Sequence, residues 1–362
     1  MSHVLIKRAE KFATEIGLKR PILLGPMAGA CPVSLSVAVA EGGGMGACGA
    51  LLMEPEAIIQ WASEYRSKTD GPFQMNLWIP DSAPERDLNN ENDLGKFLSN
   101  WGPQVTEDTA NDTPPDFQSQ CEALLEIAPP AISSIMGLFD SQFVDRMKSK
   151  GIKWLANVTT VAEAKMAEAA GADVIIAKGF EAGGHSGAFN PEDAQRYGIG
   201  LVSLVPAIAD AVALPVVAGG GIGDGRTAAA ALMLGASAVQ IGTGFLRAPE
   251  STIALAWSDA IGKATPEGTL VTRAFSGRAG RSIATKYALA MEQADSPEPA
   301  PYPVQRGLTQ AMRAAAAKDN HIDGMQAWAG QSAGMAQTKS ATLIARDIWQ
   351  SAKDSLAQSA DS

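Results

Sequence analysis

Short apolar runs alternate along this chain with longer stretches in which apolar residues return every third or fourth position, and the alternation persists for more than half its length. The runs at 22–24, 45–48, 73–77, 131–134, 152–157, 173–177, 215–218 and 238–241 read as strands. Each is short and bounded by Gly, Pro, Asn or a polar turn. The periodic stretches at 32–41, 55–66, 117–127, 141–150, 161–170, 201–212 and 225–234 read as helices, the second opening with Pro at a favoured first turn. Strands alternating with helices are the signature of parallel α/β architecture. The count fits a (β/α)8 barrel over 1–248, with a doubly wound open sheet as the alternative.

Two regions break the rhythm. Residues 80–115 are polar, carry Pro, Asn and Asp, and show no sustained period, which predicts an irregular insertion. Beyond Phe245 the strand signal stops. The stretches 251–263, 284–293, 304–318 and 338–352 read as helices joined by Pro/Gly-rich segments such as Ser296-Pro297-Glu298-Pro299. We therefore expect a TIM barrel with an additional, mainly helical C-terminal segment. Residues 249–335 would lie over one end of the barrel, and a last helix in 336–362 would return to its wall. The N-terminal residues read as a tail, without the apolar core or small-residue cleavage site of a secretion signal.

Composition narrows the function. Hydrophobic residues make up 46% and charged residues 19%, enough for a large core and unlike a disordered chain. A formal charge of −10 argues against nucleic acid or an anionic membrane as a general partner. No run approaches the ~20 apolar residues that span a bilayer. Cys31, Cys48 and Cys121 form no ligand or redox spacing, which suits reduced thiols in a cytoplasm, and no metal-ligand pattern stands out.

The chemistry collects at three glycine-rich loops, each following a strand. In a barrel such loops open onto one face. Ala218-Gly219-Gly220-Gly221-Ile222-Gly223 follows the seventh strand and Gln240-Ile241-Gly242-Thr243-Gly244 the eighth. This is where barrels frequently bind phosphate, because backbone N–H groups without Cβ atoms can approach an anion closely. Tight turns are the plainer explanation of either run alone. The third loop, Lys178-Gly179-Phe180-Glu181-Ala182-Gly183-Gly184-His185-Ser186-Gly187, places a histidine among glycines, a setting for general acid/base work. Glu181 is a candidate to orient His185 or to make a salt bridge. His3 and His321 read as solvated or structural.

The ordered set Gly25-Pro26-Met27-Ala28-Gly29, Gln74-Met75-Asn76-Leu77, the His185 loop and the two phosphate loops resembles the nitronate monooxygenase family. Phe275-Ser276-Gly277-Arg278, Pro301-Tyr302-Pro303 and Trp328-Ala329-Gly330-Gln331 extend the resemblance over about 20–340. The resemblance implies non-covalently bound FMN. Met27, Ala28, Asn76, Lys178, Gly183, Gly184 and Gln331 would lie at the cofactor, and Gly219, Gly220, Gly221, Gln240, Gly242 and Thr243 at its phosphate end. His185 would be the catalytic base, and Met136, Ser276, Tyr302 and Arg306 would meet substrate. The implied reaction converts an alkyl nitronate, such as propionate 3-nitronate, with O2 to a carbonyl compound and nitrite. Lys178 replaces the family's usual Gln, and Arg306 and Gln310 stand where Tyr and Lys are expected. The alternatives are an NAD(P)H-dependent FMN reductase of the enoyl-acyl-carrier-protein or quinone reductase type, and a flavin-binding protein without turnover. Trp and Met in the C-terminal segment suit either a homodimer contact or that segment's own core.

Overall fold

The barrel strands are β1 (Ile22–Leu24), β2 (Gly46–Gly49), β3 (Phe73–Trp78), β4 (Ala131–Ile135), β5 (Lys153–Val158), β6 (Val174–Lys178), then β8 (Val216–Gly219) and β9 (Ala238–Ile241); β7 (Gly184–His185) lies outside the barrel. A computed structural model describes residues 2–361 apart from 106 and 112. The eight strands pair in parallel in the order β1-β9-β8-β6-β5-β4-β3-β2. A parallel bridge between Leu23 and Met45 joins the two ends, with Leu24 N–H donating to Met45 O and Met45 N–H to Ile22 O, both at 2.9 Å. The barrel is thereby closed. Strands buried on both faces need no polar/apolar alternation, which is why they read as continuous apolar runs.

Side-chain caps start several of the wall helices. Thr160 and Glu163 form a reciprocal capping box on Val161–Ala169, and Asp224 and Thr227 form another on Gly225–Met233. Between wall and barrel lies the main core, in which Leu35, Tyr65, Trp154 and Phe245 are fully enclosed.

The N-terminal residues form a helix, Ser2–Glu15, where the sequence suggested a tail. Phe12 and Ala13 cap the interior layer of Leu23, Met45, Leu155, Val174 and Val217, so burial at the barrel's floor, and not helix propensity, fixes this element. The insertion is also more ordered than its composition predicts. Asp87 accepts from Asn89 N–H and Asn90 N–H to start Leu88–Leu98, Arg86 ion-pairs with buried Glu91, and Leu94 and Leu98 are enclosed.

The C-terminal segment is not wholly helical. β10 (Thr269–Thr272) and β11 (Gly280–Ile283) form an antiparallel hairpin, and β11 pairs on with β7. Helices Leu255–Lys263, Lys286–Ala290, Val304–Leu308 and Gln310–Lys318 surround it. The expected single helix at 304–318 breaks at Thr309, whose hydroxyl donates to Phe275 O at 2.6 Å. The final helix, Ala341–Asp361, lies against Val33–Glu41 and Gly225–Met233. None of the described helices is long and apolar enough to cross a membrane.

Candidate active site

The C-terminal ends of the barrel strands and the hairpin segment enclose a cavity of about 210 Å³. Met27 and Ala28 enter it from the loop after β1, Asn76 from β3, Lys178 from β6, Gly219 to Gly221 from the end of β8 and its loop, and Gln240, Gly242 and Thr243 from β9 and its loop. Gly183, Gly184 and His185 come from the loop after β6, and Ser276, Tyr302 and Arg306 from the C-terminal segment. Met136 and Gln331, both assigned to the site from sequence, do not line it. Met136 is buried behind Ile135, which does, and Gln331 donates its N–H to Glu181 O at 2.9 Å.

The glycines serve two ends at once. A Cβ on Gly183 would stand 2.5 Å from Gly330 N, and one on Gly220 only 3.0 Å from Ala182 N at a φ of +116°, so the loops interlock through bare backbone. They also leave donors available. Among the described residues no hydrogen bond uses the N–H of Gly220, Gly221 or Ile222, and the first N–H groups of the 3₁₀ turn Thr243–Phe245 lack partners by its geometry. The buried amide nitrogen of Gln240, which lines the same wall, has no partner either.

His185 sits where three elements meet. As part of β7 it pairs with Gly280 of β11. Its Nε2 lies 2.6 Å from Ser276 Oγ, in the turn between β10 and β11. Trp78 and Trp328 pack edge-on to the ring, with centroids 4.6 and 4.8 Å away. The Ser276 turn is itself braced, because Tyr287 Oη and Gln305 Nε2 both donate to Ala274 O, at 2.9 and 2.7 Å. Glu181, the sequence candidate for orienting His185, instead caps the helix Leu201–Ala209 by accepting from Leu201 N–H.

Charge in the cavity is one-sided. Lys178, Arg306 and Arg313 line it, and no acidic side chain among the described residues does. Arg278 lies just behind, paired with Asp81 at 2.9 Å and donating to Ala188 O. Burial, with these cations nearby, pushes the His185 imidazole down to about 3. Burial alone pushes the Lys178 ammonium down to about 8. The ring is therefore neutral at physiological pH, and the lysine is close to its own titration.

Sequence reasoning assigned no role to Trp78, Trp328, Asn157 or Arg313. Trp328 does fall in a recognised motif, but nothing in the local pattern says that its ring leans on His185. Arg313 shares an Ala-rich helix with Lys318 and is indistinguishable by sequence from a solvated residue.

The model of the nitronate monooxygenase family matches residues 10–350. The chain belongs to that family. A nitronate monooxygenase of Paraburkholderia phytofirmans is 34% identical over 359 residues, covering 95% of each protein. Among solved structures, the nitroalkane oxidase of Streptomyces ansochromogenes superposes with a TM-score of 0.87 at 33% identity, over 96% of this chain and 100% of that one. FabK from Thermotoga maritima follows the same fold at a TM-score of 0.76 and 28% identity, over 97% and 98%. Membership in the nitronate monooxygenase family makes the chain a flavin-dependent oxidoreductase.

Proposed function

We propose that the chain binds FMN in this cavity and oxidises alkyl nitronates, such as propionate 3-nitronate, with O2 to a carbonyl compound and nitrite. The observation that carries the reading is a neutral histidine in a cavity whose only charged lining groups, among the described residues, are cations. An anion is drawn in, and nothing there repels it.

The residues present fit FMN. Gly220, Gly221, Ile222, Gly242 and Thr243 offer backbone donors for its phosphate, and Gln240 offers an amide that otherwise stays unsatisfied in the interior. Lys178 supplies positive charge, and Met27, Asn76, Gly183 and Gly184 line the same wall. When bound, FMN supplies the electron acceptor. The protein's share is to hold the nitronate, keep water away with Trp78, Trp328 and Tyr302, and manage one proton.

That proton distinguishes two kinds of substrate. A nitronate arrives deprotonated, so His185 needs only to hydrogen-bond it. A neutral nitroalkane needs the imidazole as a base, and a ring held near 3 accepts a proton poorly. The nitronate is accordingly the preferred form. His185→Asn should cut nitroalkane turnover by about 10²–10⁴-fold, the range of a lost general base, while bound flavin stays constant. Equal loss of both would remove His185 from catalysis.

The deciding test is anaerobic reduction of the bound flavin by nitronate in one cuvette and by NADH or NADPH in another. Bleaching by nitronate, with nitrite released on admitting air, is the expected result. Bleaching by nicotinamide alone would place the chain with reductases, the alternative for which the FabK likeness makes nicotinamide the necessary control.

A further inference from the structure

Behind the loop that carries His185 lies a second cavity of about 30 Å³, one seventh of the first. Phe180, Ala182, Ala194, Tyr197, Ile199 and Val271 give it a mainly apolar wall. It shares Lys178, Ala182 and Gly184 with the main cavity. Its other end reaches Tyr197 and Gly198, which are exposed. A single water needs about 10–15 Å³ of such space. The passage therefore accepts a molecule of two heavy atoms and excludes a nitronate, whose carbon chain carries a three-atom nitro group.

We propose that this passage is a separate entrance for dioxygen, an inference that rests on the flavin reading above. O2 is small, uncharged and apolar, so a narrow space walled mostly by Phe, Ala, Ile and Val suits it, although Lys178, Asp193 and Arg281 also border that space. The partition between the two spaces is formed in part by Gly184, which has no side chain to obstruct it. The front, lined by Trp78, Tyr302 and Trp328, is where the organic anion must sit. With one mouth, the second reactant would have to pass the first. A rear passage lets O2 reach the flavin while the nitronate is in place.

The test uses holoenzyme with FMN, reduced by dithionite without any nitronate and then mixed with oxygenated buffer. Two electrons and two protons pass from reduced flavin to O2, giving hydrogen peroxide, and the returning flavin absorbance reports the rate. Val271→Trp and Ala194→Leu plug the passage and should each slow reoxidation by about tenfold, whereas Val271→Ala should not slow it. Crystals under xenon pressure give a readout free of flavin chemistry, with xenon expected behind the loop in the native protein and absent in Val271→Trp. Reoxidation at the native rate in both plugged variants, with the plugs seen in place, overturns the route and leaves the flavin reading intact. Protein that binds no FMN at all overturns both.

Discussion

The pair His185 and Ser276 shows how one side chain's chemistry is set by another 91 positions away. With Nε2 2.6 Å from the serine hydroxyl, the ring's rotation is fixed, and its tautomer depends on which partner holds the shared proton. Ser276→Ala should lower nitroalkane kcat and broaden its pH profile without loss of flavin, and an unchanged profile would make the hydroxyl a packing group only. Lys178 gives a prediction of opposite character. Its ammonium loses its proton as pH rises through about 8, more than two units below its ordinary value, so the cavity's attraction for anions weakens there. The KM for nitronate should therefore climb above pH 8, and Lys178→Met should raise it at pH 7 and abolish the climb. At this scale the sequence was half legible. Glycines around His185 exposed its importance, but the one nearby candidate to orient it was Glu181, for which a salt bridge was the plainer role. Chain proximity favours Glu181, whereas the fold turns that carboxylate to a helix N-terminus.

The element that holds His185 is a strand pairing invisible in the pattern. Gly280-Arg281-Ser282-Ile283 contains one apolar β-former; Ser282 is buried with its hydroxyl on the neighbouring Ile283 O, and Arg281 is buried because groups elsewhere in the chain satisfy it. Arg281 donates to Phe180 O and to Thr269 Oγ1, at 3.0 and 3.1 Å. The barrel strands, by contrast, were placed to within a residue or two, since burial on both faces writes itself directly into composition. Gly280 lets the hairpin dock closely on the His185 loop: a Cβ there would meet Trp328 at 3.0 Å and His185 Cα at 3.1 Å. Gly280→Val should displace the catalytic loop and cut nitronate kcat by about tenfold or more. Thermal stability should change less than for a barrel-core substitution, and full activity would show that β7 needs no fixed partner.

For the whole molecule, the closing helix Ala341–Asp361 matters most. Ile344, Ile348, Trp349 and Leu356 are buried among residues of the barrel wall, and Thr342 donates to Ala38 O at 2.7 Å. Glycines receive it closely: a Cβ on Gly225 would stand 2.4 Å from Ser351, and one on Gly42 2.9 Å from Ala345. Ile348→Ala should cost about 2–5 kcal/mol, seen as a lower urea midpoint with unchanged slope. Since this helix lies away from His185, the variant's activity per bound flavin should be native below its unfolding transition. The helix itself was legible from its apolar period, but the notches that receive it were not, because a glycine in a helix signals weakness until its neighbour is known.

That arrangement has a consequence for how the chain is made. Ala341–Asp361 covers Val33–Glu41, yet it is synthesised some three hundred residues later. Until then the apolar faces of Val33–Glu41 and Gly225–Met233 stay bare, on a nascent chain whose eight strands already exist. From the end of β9 at Ile241 until the last helix emerges, the ribosome thus holds a barrel whose wall is incomplete and whose apolar surface is exposed.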